Sequence, residues 1–147
     1  EPICKLSGYA NTCDAFHQTA SSPDGQGAFL SMKRALEDSG LSAEDIDYIN
    51  AHGTGTDNND SSEASAIKRV FGENPPYVSS TKSFTGHTTS ALKNNFIPAN
   101  LNFKTPMEDV DLVPAQRTIQ LPNIKHIMTN SFGFGGNDSS CIFSKII

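Results

Sequence analysis

The sequence predicts an α/β domain, a mixed sheet covered by helices, and three observations carry that prediction. Between Ile46 and Ser80 an apolar run, a stretch with helical spacing and a second apolar run follow one another, the order of a βαβ unit. Near the end, Ile124 to Ser131 and Ser139 to Ile147 read as two strands joined through a glycine-rich connection, which predicts an antiparallel hairpin. Finally, 147 residues with 36% hydrophobic and 18% charged side chains suffice for one domain with a core, spanning residues 1–147.

Taken in order, Ile3 to Tyr9 has the apolar and small residues of a strand, and the polar segment from Asp14 to Gln26, containing Pro23, reads as a loop. From Gly27 to Asp38 the residues Phe29, Met32, Ala35 and Leu36 recur at helical spacing, Lys33, Arg34 and Glu37 are left for solvent, and Gly40 is a natural stop. Ser42 to Asp45 carries a capping signal for one short turn. Ile46 to Ala51 is a strand that runs into the His52 loop. A second helix spans Asp60 to Phe71, capped by Asp60 or Ser61, with Ala64, Ile67, Val70 and Phe71 as its apolar stripe and Gly72 with Asn74-Pro75-Pro76 at its end. Tyr77 to Ser80 is a short strand that delivers Thr81 and Lys82 to the next loop. Both histidine loops therefore follow strand C-termini, where open α/β sheets place ligands. Thr88 to Ala91 starts a helix that Lys93-Asn94-Asn95 stops within about two turns, and Pro98 to Pro122 reads as irregular chain with short edge strands.

A net charge of −5 and scattered basic residues exclude a nucleic-acid role, because affinity for phosphate backbones comes from clustered Lys and Arg. Lys33-Arg34 and Lys68-Arg69 are the adjacent basic pairs; each reads as a solvated helix face or as a patch for an acidic partner. No apolar run is long enough to span a bilayer and the N-terminus lacks a signal-peptide pattern, so the expectation is a cytoplasmic protein with no membrane partner. Three cysteines without a C-x-x-C pair disfavour disulfides and a zinc ribbon. Cys4 and Cys141 read as buried small hydrophobes, and Cys13 as a loop cysteine or a reactive thiol.

Three glycine-rich segments hold the residues suited to chemistry: Asn50-Ala51-His52-Gly53-Thr54-Gly55-Thr56, Lys82-Ser83-Phe84-Thr85-Gly86-His87 and Asn130-Ser131-Phe132-Gly133-Phe134-Gly135-Gly136. A neutral histidine at a strand end can present an N–H to a carbonyl oxygen, and two of them, His52 and His87, can converge on one oxygen. Lys82, five residues before His87, can orient it or pair with an acid such as Glu63. Zinc needs three or four ligands at characteristic spacings that are absent here, so no metal is expected. His126 reads as structural, and His17 as a pocket or loop residue. The glycine segments lack the full dinucleotide and P-loop patterns. The hydroxyls of Thr54 and Thr56 suit a ligand with amides or hydroxyls, or bond to their own backbone.

These three motifs, in this order, closely resemble the C-terminal half of a β-ketoacyl-acyl carrier protein synthase of the fatty-acid elongating type; the likeness extends from Leu6-Ser7-Gly8-Tyr9 through Asp14-Ala15-Phe16-His17 to the last strand. The resemblance implies a thiolase-like fold in which two similar α/β halves pair, a homodimeric enzyme, and this chain as its second half, with the nucleophile half absent. The implied activity is decarboxylative Claisen condensation: a cysteine of the first half is acylated from an acyl carrier protein, and malonyl-acyl carrier protein loses CO2 to an enolate that attacks the acyl group. No cofactor is bound tightly; substrates ride on the phosphopantetheine of acyl carrier protein. Carried over by motif, His52 and His87 polarise the malonyl thioester, Lys82 organises the site with Glu63, and Thr54 and Thr56 hold the pantetheine arm. Phe134 and Gly135 make the gating and oxyanion segment, Phe134 gating the acyl pocket while its backbone N–H, with that of the nucleophilic cysteine, forms the other oxyanion hole. The isolated chain would be inactive for lack of the nucleophile.

Two departures from the resembled pattern stand out. His87 lies only five residues before Leu92, so roughly three turns of the helix expected after it are missing near 91–92, as a gap or a deletion. Gly136-Asn137-Asp138-Ser139 departs from the usual Gly-Gly-x-Asn, a departure that points to a specialised branch acting on an unusual acyl chain. A non-catalytic partner similar to a chain-length factor, or an acyl-carrier-protein binding module, is the alternative function, and a hydrolase acting through Cys13 is a third.

Overall fold

The computed structural model describes residues 2–81, 89–101, 103–108 and 110–146. Its elements, in chain order, are β1 (Cys4–Cys13), α1 (Gln26–Ser39), a 3-10 turn (Ala43–Asp45), β2 (Tyr48–Asn50), α2 (Asp57–Phe71), β3 (Tyr77–Ser79), α3 (Thr89–Asn94), β4 (Phe96–Ile97), β5 (Ile119–Gln120), β6 (His126–Gly133) and β7 (Asn137–Lys145). The main sheet has the order β1-β7-β6-β2-β3. β2 runs parallel to both β3 and β6, while β7 is antiparallel to β6 and β1, so the sheet is mixed and β2-α2-β3 is the expected βαβ unit.

Burial alternates along β1 and β7 because α1 covers one face: Gly8, Ala10 and Thr12, with Asp138, Ser140, Ile142 and Ser144, are buried. Gly8 allows that approach, since an added Cβ would overlap the Ala35 carbonyl oxygen in α1. β1 runs to Cys13, four residues beyond the expected strand, because the ladder with β7 continues to the Cys13–Asn137 pair. Polar Asn11 hid this extension in the sequence, yet its side chain bonds across the ladder to Asn137 and Ser139. Cys13 is thus the last residue of a strand and not a loop cysteine.

α1 opens at Gly25 in the left-handed region, against α2. α2 begins at Asp57, three residues before the expected Asp60. Its N-cap is Thr56, which makes no side-chain cap bond, and Asp60 turns its carboxylate back to the Gly55 N–H at 3.3 Å. The macrodipole favours this arrangement: Asp57 and Asp60 occupy the first turn and Lys68 and Arg69 the last. Arg69 also lies 4.0 Å over the Phe29 ring and donates to Gln26 and the Asp24 carbonyl, fastening α2 to α1.

The core lies on both faces of the sheet. Met32, Ala35, Ile49, Ile67, Met128 and Ile142 fill the space under α1 and α2; Tyr48, Leu92, Ile97, Ile124 and Ile127 pack on the opposite face. Each large side chain fully buried there contributes roughly 1.5–3 kcal/mol. Tyr48 is fully buried with its hydroxyl 2.8 Å from Ser79 Oγ, and desolvation pushes its pKa up to about 12. Ala91 and Leu92 sit within the continuous six-residue α3; Asn95, at φ 55°, then turns the chain into β4 and accepts a hydrogen bond from Lys145 Nζ at 2.7 Å. The stretch from Pro98 to Pro122 is largely irregular, as expected, and Ala115 donates its N–H to the Val78 carbonyl, laying the segment along the outer edge of β3.

Candidate active-site wall

Because β3, β2 and β6 are mutually parallel, the segments that follow them leave the sheet at one end, that of the strand C-termini. Those segments are the three motifs. His52 follows β2, the chain leading to Lys82 follows β3, and the Phe134 turn follows β6. Lys82 and His87 themselves lie outside the described residues, as does the rest of the motif between them.

Two sets of hydrogen bonds fix where the strands release these loops. Asn50, at the end of β2, accepts from the Thr81 N–H at 3.3 Å and hydroxyl at 3.0 Å, and donates to Thr129 of β6. The Ser80 hydroxyl lies 3.4 and 3.3 Å from the His52 and Gly53 carbonyl oxygens. The exits of β2 and β3 are therefore tied to each other.

Glu63 anchors the His52 loop from below. This acid is 4% exposed, and its two oxygens accept the N–H groups of His52 at 2.8 Å and Gly53 at 2.9 Å. Asn130 of β6 donates to the same carboxylate at 3.2 Å, while its own oxygen accepts from Ser140, which lies 2.9 Å from Ser31 of α1. A buried chain of polar contacts thus runs from α1 through β7 and β6 to the loop. The sequence reading missed Asn130 as an anchor, although it stands at the head of the third motif. Charge-assisted bonds of this kind are among the strong ones, and buried they rigidify what they hold. The His52 ring is half-buried, 5.7 Å from the Phe132 ring at 52°.

The third motif is tighter than expected. Phe132 and Gly133 remain in the ladder with Asp138 and Asn137, so the turn is only Phe134-Gly135-Gly136. Gly135 and Gly136 hold φ 82° and 74°, values that favour glycine. Phe134 is 84% exposed at the tip. The Gly135 N–H donates to the Gln18 carbonyl at 2.8 Å, so this amide holds the turn to the loop after β1 and is not directed at an oxyanion. Cys13 adds a contact from its thiol to the Gly135 carbonyl at 3.5 Å. Thr54 and Thr56 are exposed, and their hydroxyls lie 3.1 Å from each other rather than turning back on the backbone.

Thr54 also lines an open cleft of about 620 Å³ bounded by Glu63 and Ile67 of α2, Val78 of β3, and Phe103 and Met107 of the irregular segment. His126 and His17 take structural parts, the first 2.8 Å from Ser144 Oγ and the second accepting the Thr19 N–H at 3.2 Å. Cys4 and Cys141 are partly rather than fully buried, and burial pushes the Cys141 thiol up. Among the described residues no helix is long and apolar enough to cross a membrane.

The mixed sheet with helices packed on it and the motif loops at one end of its parallel strands is thiolase-like, as close superposition of solved condensing enzymes shows. A β-ketoacyl synthase from Burkholderia phymatum STM815 does so with a TM-score of 0.88 and 31% identity, over 99% of this chain and 38% of that one. The AntDE:AntF structure, a type II polyketide ketosynthase with its acyl-carrier protein bound to the hexaketide, gives 0.90 and 30%, over 98% and 39%. The chain belongs to the β-ketoacyl synthase family: its residues 3–93 match the "Beta-ketoacyl synthase, C-terminal domain". It is 42% identical to 3-oxoacyl-[acyl-carrier-protein] synthase 2 of Synechocystis over 158 positions, which take in 96% of the chain and 37% of that relative. It is also 41% identical to the chloroplastic synthase II of Arabidopsis thaliana, over 93% of the chain and 28% of that protein. The chain therefore spans 28–38% of the length of these curated relatives and of a further synthase 2 from Vibrio cholerae. Since 158 aligned positions exceed the 147 residues of the whole chain, the Synechocystis protein carries at least 158 − 147 = 11 residues with no counterpart here.

Proposed function

We propose that this chain supplies the decarboxylating wall of a 3-oxoacyl-acyl carrier protein synthase, the nucleophilic cysteine coming from outside these residues. The observation that carries the reading is the Glu63 carboxylate clamped on the His52 and Gly53 amides and on Asn130, which fixes the histidine loop before substrate arrives. His52 and His87 then donate to the malonyl thioester oxygen. As the carboxylate leaves as CO2, its bonding pair becomes the enolate, and the negative charge builds on the oxygen these donors face. The enolate carbon attacks the acyl thioester, a carbon–carbon bond forms and the cysteine leaves as thiolate. Lys82 balances the local charge with Glu63, Thr54 and Thr56 receive the pantetheine arm, and Phe134 gates the acyl channel, with its N–H serving the second oxyanion hole.

The partners under this reading are acyl carrier protein, the other half of the enzyme and a second copy in a cytoplasmic homodimer. Supporting it, Leu6 and Tyr9 project from β1 at 57% and 49% exposure, away from the face that α1 covers, as a surface awaiting another layer would.

The test is a condensation assay with malonyl- and acyl-acyl carrier protein, using the chain together with the polypeptide that completes the enzyme. Formation of 3-oxoacyl product, lost in His52→Ala, supports the reading. A chain that binds an active ketosynthase while His52→Ala leaves product formation unchanged favours the chain-length-factor role; solved ketosynthase/chain-length-factor pairs are among its structural neighbours.

A further inference from the structure

We propose that the cleft between α2 and the irregular segment binds a straight-chain, medium-length carboxylate, with its hydrocarbon inside and its head group at Lys104. The chain between Asn100 and Ala115 is a closed loop. The Asn100 N–H donates to the Ala115 carbonyl at 2.7 Å across its neck, and the Ala115 N–H reaches the Val78 carbonyl of β3, also at 2.7 Å. Farther along the loop, Asp111 lies 3.5 Å from Lys68 of α2. The loop is therefore tied to β3 at its neck and meets α2 beyond it. The space between is the cleft of about 620 Å³, within the range of about 300–1,000 Å³ that holds small organic ligands. Ile67 and Val78 give it a floor from the core, and Phe103, Met107, Val110 and Leu112, all half-buried, line it from the loop.

The polar groups of the lining select the head group. Two acids line the cleft, and both are engaged: Glu63 by the His52, Gly53 and Asn130 donors, and Asp60 by the Gly55 N–H and by Asn59 Nδ2 at 3.1 Å. The groups left over are donors. Lys104 is exposed and makes no ion pair among the described residues. Asn100 spends its oxygen on the Ser80 N–H at 2.9 Å, while its Nδ2 makes no hydrogen bond among the described residues. An apolar hollow lined also by an unspent cation and an unspent amide donor fits a hydrocarbon chain that ends in an anionic acceptor. A neutral chain would leave both donors unused. The strand order puts β2 between β3 and β6, so the cleft lies apart from the Phe134 turn and shares with the site above the wall made by Gly53, Thr54 and Glu63. A ligand seated there bears on the His52 loop from outside.

The test is an NMR titration of the 147-residue chain with octanoate, decanoate and decanol, each kept below its micelle concentration. Expected is saturable decanoate binding that moves the amide signals of Ala64, Val78 and Met107. Affinity is expected to rise about two- to fourfold for each methylene added from octanoate to decanoate, as for a chain that is partly to fully buried. Decanol is expected to bind at least fivefold more weakly than decanoate, Lys104→Glu to weaken decanoate by a similar factor, and Ala64→Trp, which fills the cleft, to abolish binding. Decanol binding as tightly as decanoate overturns the proposal, because the cleft would then be an apolar groove for any covering chain. Signals that move at Leu6 and Tyr9 instead, or no saturable binding, overturn it equally. The unsubstituted protein alone gives these results if a variant fails to fold. No condensation enters the readout, so the proposal stands or falls apart from the function above.

Discussion

Asn130 and Glu63, 67 residues apart, meet at 3.2 Å beneath the His52 loop, and the carboxylate they share with the loop amides is nine-tenths or more buried. Replacing Glu63 by alanine leaves the His52 and Gly53 N–H groups without their acceptor. A buried donor left unsatisfied costs about 1–3 kcal/mol and these two are part-buried, so Glu63→Ala is expected to lower stability by about 1–3 kcal/mol in total in urea unfolding. Glu63→Gln, which keeps one acceptor oxygen, is expected to lose less.

His52 separates chemistry from packing. Its ring is half-buried and touches Phe132, so His52→Ala is expected to cost little stability. Under the function proposed above, the same change in the complete enzyme would remove a donor to the developing enolate and is expected to slow condensation about 10²–10³-fold, read as kcat with the melting temperature as control.

Gly27 inverts the usual helix rule. Glycine to alanine inside a helix ordinarily stabilises by about 1 kcal/mol. Here the new methyl would collide with Asp138 and Asp14, so Gly27→Ala is expected to lower the melting temperature. A raised melting temperature would contradict the packing described.

Asp138 makes stability depend on pH with a definite sign. Burial raises its folded pKa to about 7, above the ordinary value of 3.8 that holds in the unfolded chain. Below 3.8 both states hold the proton and the contribution is complete. Between 3.8 and 7 only the folded state holds it, so stability falls as pH rises, by at most about 1.4 kcal/mol per pH unit, and levels off above 7. Asp138→Asn is expected to remove that slope, measured as the difference between the two proteins in thermal melts from pH 4 to 8.

The helices and the hairpin were legible in the sequence because their apolar spacing is local. Met32, Ala35 and Leu36 mark α1 wherever the rest of the chain goes. The errors fell where tertiary contact overrides local pattern. β1 continues through polar Asn11 because β7 pairs with it, and β4 and β5, two residues each, exist only as each other's partner. In the site, His52 and Glu63 could be named from motif and resemblance, but the Glu63–Asn130 bridge and the Asp14–Asp138 juxtaposition join segments separated by tens of residues or more. No periodicity reports such contacts. Thr54 and Thr56 showed the opposite limit: their hydroxyls find each other across one residue, a choice composition alone left open.

The outermost pairing has a consequence for how the sheet closes. β1 hydrogen-bonds to β7 alone in the main sheet, joining Cys4 to Lys145, so β1 has no place in that sheet until a strand far along the chain has formed. Until then Leu6 and Tyr9 ride on an unpaired edge. The sheet is completed by its most distant contact in sequence, the kind that is slowest to form.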